Sequence, residues 1–277
     1  MITFNEIGRY GRLGNQLFQL AILKVVSLKT GYDIILPEDI NERNHHGQNC
    51  LLNNFKFETI KYGSPIIKNN YIENNPWDYD EQLFTVPDNT NFFGFFQNQK
   101  YYAPYQNELM KEFQVIDEIQ NKINSIIKNY NKFSVSLHVR RGDATDGTNY
   151  SEAIWGNDVS ENSIIMKYYN HALSLIPSNS TVFLFTGGSR YNDSKSDFEW
   201  CRKNFKDNRI IFVDFLNDIE SFTLMKSCDY NITSFVSSFS WWASFLNKNK
   251  NIIAPKNFYP GSNININDYY INNWNLI

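Results

Sequence analysis

Cysteine is scarce in this sequence, and its three copies lie far apart. Cys50, Cys201 and Cys228 form no CxxC pair and no Cys/His cluster. This spacing supports neither a disulfide framework nor a structural zinc site. A reduced, cytoplasmic setting is therefore expected, because disulfides are rare there.

A net positive charge and long apolar runs are also missing. The formal net charge is −3, so no global basic field is present to attract nucleic acid. No stretch approaches the roughly 20 apolar residues that span a bilayer, and residues 1–6 lack the basic and apolar regions of a signal peptide. We therefore expect no nucleic-acid partner and no transmembrane segment.

The chain is long enough for two domains, and it has many aromatic side chains. A chain of 277 residues is typical of two domains, since domains usually contain roughly 100–200 residues. Phe occurs 22 times and Tyr 17 times. Aromatic faces can bind sugar rings, but most of these residues should lie in the core.

The segment His138-Val139-Arg140-Arg141-Gly142-Asp143 carries the strongest chemical signal. The alternation of apolar and small polar residues from Phe133 onwards predicts a β-strand, with Phe133 on its apolar face. His138 and Arg140 would share the other face at its carboxyl end, where open α/β sheets bind ligands. Because a guanidinium pairs with two phosphate oxygens, this end suits a phosphate-bearing ligand. A structural Arg–Asp ion pair is the alternative.

A glycine-rich turn follows a short first strand predicted at residues 2–4. It reads Gly8-Arg9-Tyr10-Gly11-Arg12-Leu13-Gly14-Asn15-Gln16, and the apolar spacing after it predicts an amphipathic helix of about four turns. Neither GxxxxGK[ST] nor GxGxxG is present. A strand–turn–helix unit exposes backbone N–H groups to an anion. Arg12 and Asn15 therefore either face a ligand or merely belong to a tightly packed turn.

Strands and helices alternate regularly in the second half. This alternation predicts a parallel sheet covered on both faces, after a domain boundary near Asn131. The predicted strands are 181–185, 209–213, 230–233 and 251–254, and the predicted helices are 165–176, 198–205, 219–225 and 241–246.

The first half is less regular. Strands are predicted at 33–36 and 91–96 and a helix after Asp117, whereas prolines divide residues 38–90 into loops and short elements.

In the second half, Ser237-Ser238 at a helix start predicts an N-cap, and the same groups could bind an anion.

Taken in order, these motifs resemble the α-1,2-fucosyltransferases of glycosyltransferase family 11. The HxRRxD and SSFSWW blocks are specific in combination, and the matching blocks span nearly the whole chain. They are residues 11–19, 94–97 with 100–102, 135–143, 199–201, 237–242 and 253–256.

The resemblance implies an α/β fold of the GT-B type, with two Rossmann-like domains facing across a cleft. Residues 1–131 would form the acceptor-side domain, residues 132–258 the GDP-sugar domain, and residues 259–277 a C-terminal tail. The family inverts at fucose C1 and needs no metal or other cofactor. The implied partners are GDP-fucose and a β-galactoside acceptor, with peripheral contact to a membrane-linked glycan at the inner membrane.

The resemblance also implies roles for single residues. Arg140 would bind the β-phosphate and stabilise it as it leaves. The nucleotide and its phosphates would be bound by Arg12, Asn15, His138, Ser237, Ser238 and Phe239, while Asp143 would anchor the arginine loop. Asp146 and Glu152, in the loop after the arginine motif, are the candidate catalytic bases, although a departing phosphate could itself take the proton.

Four positions depart from the family pattern. An acidic pair that can recognise guanine is replaced by Gly187 and Gly188, so Asp193, Asp197 or backbone groups would have to substitute. Val236 stands where Asn is usual, and Leu20 where Tyr is common.

The sequence thus predicts transfer of L-fucose from GDP-L-fucose to the 2-hydroxyl of a terminal β-galactoside in surface-glycan synthesis. A GT-B transferase with another nucleotide-hexose donor and a non-catalytic glycan-binding protein are the alternatives.

Overall fold

The first part of the chain builds a parallel β-sheet. The computed structural model describes residues 1–45, 47–130, 132–142, 163–187, 194–257 and 268–277. The strands of this part are β1 (Ile2–Thr3), β2 (Ile34–Pro37), β3 (Asn44–His45), β4 (Gln48–Asn49), β5 (Ile60–Gly63), β6 (Asn69–Ile72) and β7 (Thr90–Phe93). Within the described residues the sheet order is β5-β2-β1-β7-β6, all parallel, and β3 and β4 form a separate antiparallel pair.

The described residues of this part form two α-helices, α1 (Leu13–Thr30) and α2 (Gln106–Glu112). Nearly every α1 side chain up to Val26 is buried, because the helix contacts β1, β2 and the 3₁₀ helix Glu81–Thr85. The predicted amphipathic pattern is therefore wrong for α1. It ends at Gly31, whose left-handed φ of 76° and N–H bond to Ser27 O form the C-cap.

Strands β5 and β6 were not predicted from the sequence. They lie at the two edges of the sheet, and most of their side chains are at least partly exposed. An edge strand needs no continuous apolar face, so their polar sequences give no alternation to detect.

The second part builds a sheet in the order of a Rossmann fold. Its strands are β8 (Phe133–Arg140), β9 (Ser180–Gly187), β10 (Ile210–Phe212), β11 (Tyr230–Ile232), β12 (Asn251–Ala254) and β13 (Asn275–Leu276). Within the described residues they are parallel and ordered β10-β9-β8-β11-β12-β13. Counted from β8 this is 3-2-1-4-5-6, with the topological switch point between β8 and β11.

Helices accompany these strands as the alternation predicts. They are α3 (Asp117–Lys128), α4 (Ile164–Leu175), α5 (Lys195–Asn204), α6 (Asp218–Ser227) and α7 (Ser238–Phe245). The β8 side chains of Val135, Leu137 and Val139 lie in the core with α4. Phe133, predicted on the same face, is 46% exposed at the start of the strand.

The chain divides into two compact units. Unit 1 contains Met1–Ile116 and, from the described tail, residues 268–271, whereas unit 2 contains the described residues from Asp117 to 257 and Asn272–Ile277. The predicted boundary near Asn131 is therefore too late, because α3 packs on α6 and Lys122 pairs with Glu220 of that helix. The tail is also shared by both units rather than separate.

Candidate functional site

The switch point of unit 2 brings the predicted phosphate-binding residues together. His138 and Arg140 lie at the carboxyl end of β8, and residues 233–237 follow β11. Because Leu137 pairs with Ile232, both strands end at the same edge. There the Arg140 N–H donates to Ser234 Oγ at 2.8 Å. A switch point of this kind is where open α/β sheets bind ligands.

His138 presents a neutral imidazole at this edge. The residue is only 6% exposed, and burial together with the neighbouring Arg140 charge lowers its pKa to about 3. Its Nδ1 has no hydrogen-bond partner among the residues that the structure describes. This buried polar atom fits a hydrogen bond to a bound ligand.

The two adjacent arginines have different surroundings. Arg141 Nε donates to Asp197 Oδ1 at 3.2 Å, and both side chains are mostly buried. The Arg141 guanidinium lies 4.0 Å from the ring centroid of Trp200, and its burial lowers its pKa. Arg141 thus forms a structural ion pair, but with Asp197; the predicted pair within the motif involves Asp143, which lies outside the described residues. A guanine-binding role for Asp197 stays a prediction.

Helix α7 begins at the same edge. Ser237 is its N-cap, as predicted. Its Oγ accepts from Ser240 N at 3.3 Å. The next two residues, Ser238 and Phe239, hold the first two amide groups, which have no acceptor within a helix. Phe239 also packs on His138, with ring centroids 6.0 Å apart. These features allow anion binding, and that role stays a prediction.

Three residues lie near this cap: Trp241 and Trp242 within α7, and Val236 before it. Trp241 and Trp242 are fully buried, so their rings pack in the core and do not form a surface for sugar binding. Val236, just before the cap, has a left-handed φ of 49°. Asn adopts this conformation readily, whereas a β-branched side chain is strained in it, which gives a physical reason for the usual Asn.

The glycine-rich turn of unit 1 is tightly packed. Gly11 has a φ of 91°, and a Cβ there would lie 2.6 Å from Asn15 Cβ, so glycine is required. Gln16 and Gln19 donate from α1 to Gly11 O and Tyr10 O at 2.8 and 2.9 Å. Tight packing is therefore confirmed for this turn.

Arg12 and Asn15 stand at the start of α1. Arg12 is the N-cap residue and is partly exposed. Asn15 Oδ1 accepts from Gln97 Nε2 at 3.2 Å, which joins the turn to the segment after β7. A ligand-binding role for the two residues stays a prediction.

Glu73 is a residue that the sequence reasoning missed. Its carboxylate accepts from Phe95 N at 2.6 Å and from Phe96 N at 2.8 Å, and burial raises its pKa. These bonds hold Phe96 in a left-handed conformation with φ 52°. Only the pairing of β6 with β7 brings Glu73 there, so no local signal marked it.

Several predicted site residues lie outside the described residues: Asp143, Asp146, Glu152, Gly188 and Asp193. Gly187 is described and pairs with Arg140 in the β8–β9 register. Among the described residues, no group of three or more His, Cys, Asp or Glu side chains could hold a metal ion. No helix in this part of the chain is long and apolar enough to cross a membrane.

Comparison with solved structures identifies the class of fold. POFUT1 in complex with GDP superposes with a TM-score of 0.56 at 14% identity, covering 91% of this chain and 96% of that one. This likeness, with the two parallel α/β units, shows a fold of the GT-B type. Whether the two units face each other across a cleft stays a prediction.

Comparison with sequences identifies the family. The model of the family described as "Glycosyl transferase family 11" matches residues 1–277. Galactoside alpha-(1,2)-fucosyltransferase 2 of Rattus norvegicus is 24% identical over 267 residues, covering 89% of this chain and 67% of that protein. Alpha-1,2-colitosyltransferase of Escherichia coli is 28% identical over 197 residues, covering 66% of this chain and 61% of that protein. The chain belongs to glycosyl transferase family 11.

Proposed function

We propose that this protein transfers L-fucose from GDP-L-fucose to the 2-hydroxyl of a terminal β-galactoside. The observation that carries the proposal is the position of Arg140 at the switch point of a Rossmann-ordered sheet, beside the α7 N-terminus. That combination suits a diphosphate. The family membership and the names of the rat and other mammalian relatives support fucosyl transfer.

The chemistry follows from where charge develops. The acceptor oxygen forms a bond to fucose C1 as the bond from C1 to the phosphate oxygen breaks, and the electron pair leaves with GDP. Arg140 stabilises the negative charge that grows on the β-phosphate, and a fixed cation there lowers the barrier. Attack on the face opposite the leaving group inverts C1.

The remaining roles extend the prediction from the family. Neutral His138 offers a hydrogen bond to the nucleotide, and Ser237, Ser238 and Phe239 bind phosphate at the start of α7. Arg12 and Asn15 contribute from unit 1, and Asp143 anchors the arginine loop. The acceptor proton goes to Asp146, to Glu152 or to the departing phosphate. We further propose that no metal takes part in the reaction. We also propose that the protein acts in the cytoplasm, in peripheral contact with the inner membrane.

The direct test is a transfer assay with GDP-fucose and lactose. We expect GDP release matched by a fucosylated product whose linkage by NMR is α-1,2, and full activity after treatment with EDTA. An Arg140→Met variant should lose about 10²- to 10³-fold in kcat. Failure to fucosylate any β-galactoside would refute the function, and an Arg140→Met variant of full activity would refute the role of that residue.

Two observations favour a second donor. The E. coli relative is named as a colitosyltransferase, and Gly187-Gly188 replace the acidic pair expected for guanine. Thermal-shift assays with GDP and UDP distinguish the donors. Stabilisation by GDP alone supports a GDP-sugar, and side-by-side turnover of GDP-fucose and GDP-colitose then identifies the sugar.

A further inference from the structure

A chain of buried hydroxyl groups joins the two halves of the proposed phosphate site. Ser234 Oγ accepts from the Arg140 N–H at 2.8 Å and lies 2.8 Å from the hydroxyl of Tyr169. The Ser234 N–H donates to Ser240 Oγ in the first turn of α7 at 3.3 Å. Ser234 therefore connects the end of β8 with the start of α7 across the switch point.

Tyr169 is buried beneath this connection. Its side chain lies in the core on α4 with no exposed surface. Burial raises the pKa of Tyr169, so its hydroxyl stays protonated and can donate. A serine oxygen accepts two hydrogen bonds, so Ser234 can accept from Tyr169 and from the Arg140 main chain together. A buried hydroxyl held in this way has one orientation.

We propose that Tyr169 is a positioning residue that fixes the Ser234 hydroxyl, and through it the Arg140 main chain, in the geometry that binds the donor diphosphate. The inference rests on the proposed function, because it assigns the same site a supporting residue. Tyr169 itself touches neither substrate nor the reacting atoms. Its effect should therefore appear in donor binding and not in acceptor binding.

The chain offers a matched control one residue away. Tyr168 is also a buried tyrosine of α4, and its hydroxyl donates to Thr233 O at 2.8 Å, with Ile253 O a second acceptor 3.3 Å away. Removing either hydroxyl eliminates one buried hydrogen bond, so both variants should lose similar stability. Only the Tyr169 hydroxyl bonds to the residue that holds Arg140.

The experiment compares GDP binding by calorimetry and steady-state kinetics in five proteins. They are the wild type, Tyr169→Phe, Tyr168→Phe, Ser234→Ala and the Tyr169→Phe/Ser234→Ala double variant. We expect Tyr169→Phe to raise the Kd for GDP and the KM for GDP-fucose roughly tenfold, with the acceptor KM changed less than about twofold. Tyr168→Phe should change neither by more than about twofold at a similar thermal midpoint. The double variant should bind GDP as Ser234→Ala does, because the two residues act through one bond.

Other outcomes overturn the inference. Equal GDP affinity of the two tyrosine variants would show that Tyr169 has only a structural role, and additive losses in the double variant would show that it does not act through Ser234. If Tyr169→Phe fails to fold, Ser234→Ala and Ser234→Thr decide. A loss in the first that is not rescued by the hydroxyl of the second overturns the inference. A wild type that binds no guanine nucleotide would instead refute the proposed function.

Discussion

Replacing the two neighbouring arginines of one motif by methionine should have different effects. Arg141→Met should lower the stability of the fold, whereas Arg140→Met should lower the rate of transfer. Arg141 is buried, pairs with the buried Asp197 and lies over Trp200. Arg141→Met keeps an unbranched stem against Trp200 but leaves the Asp197 carboxylate without its cation. Removing one partner of a buried ion pair typically costs about 3–5 kcal/mol, and we expect a loss of that size in the free energy of unfolding.

Urea denaturation at pH 7 measures this loss, with Arg140→Met as the matched control. Arg140→Met should unfold within about 1 kcal/mol of the wild type, although its kcat falls. The second test is the double variant Arg141→Met/Asp197→Leu. Replacing both ions by apolar groups is often neutral, so most of the lost stability should return.

Two results would refute this reasoning. If Arg141→Met unfolds within about 1 kcal/mol of the wild type, the Asp197 contact contributes little to folding. If the double variant loses the sum of the two single losses, the two side chains are not coupled. In either case the conclusion that Arg141 serves to stabilise the fold, whereas Arg140 serves the site, would be wrong.

Three further predictions follow from the site. Val236→Asn should raise the free energy of unfolding by about 1 kcal/mol in urea melts, because it relieves a left-handed β-branched residue; a loss would contradict the strain. The lowered pKa of His138, about 3, means that the unfolded chain binds its proton first. Stability should therefore fall as pH drops from about 6.5 towards 3, by up to about 1.4 kcal/mol per pH unit more than in His138→Gln. Equal pH slopes would refute this. Gly94→Ala should cost more than about 2 kcal/mol in the same melts, since its Cβ would lie 2.5 Å from Glu73 Cβ; a neutral change would show that Glu73 moves aside easily.

Regular local patterns could be interpreted correctly without the structure. The alternation from Phe133 predicted β8, and the strand–helix alternation predicted the parallel sheet of unit 2. The helix predicted at 219–225 is α6, and Asn217 caps it with a capping box. These features depend on near neighbours in the chain, where side-chain period and capping groups act directly.

Two predictions were wrong, the polar face of α1 and the position of the domain boundary, because both depend on contacts with distant segments of the chain. The helix α1 was expected to have a polar face, but contacts with several elements bury it. The boundary was placed after α3 because a helix pattern does not show which unit the helix packs on. Neither fact is present in a local window of sequence.

The sequence by itself determined the order of the motifs, the family and the strand end that carries Arg140. Only the tertiary structure decided that Arg141 belongs to Asp197 and Trp200, that Glu73 supports the turn after β7, and that Tyr169 reaches Ser234. The physical reason is that each of these contacts joins segments far apart in the chain. Parallel pairing and helix packing bring them together, and no local spacing specifies which partner a buried polar group will meet.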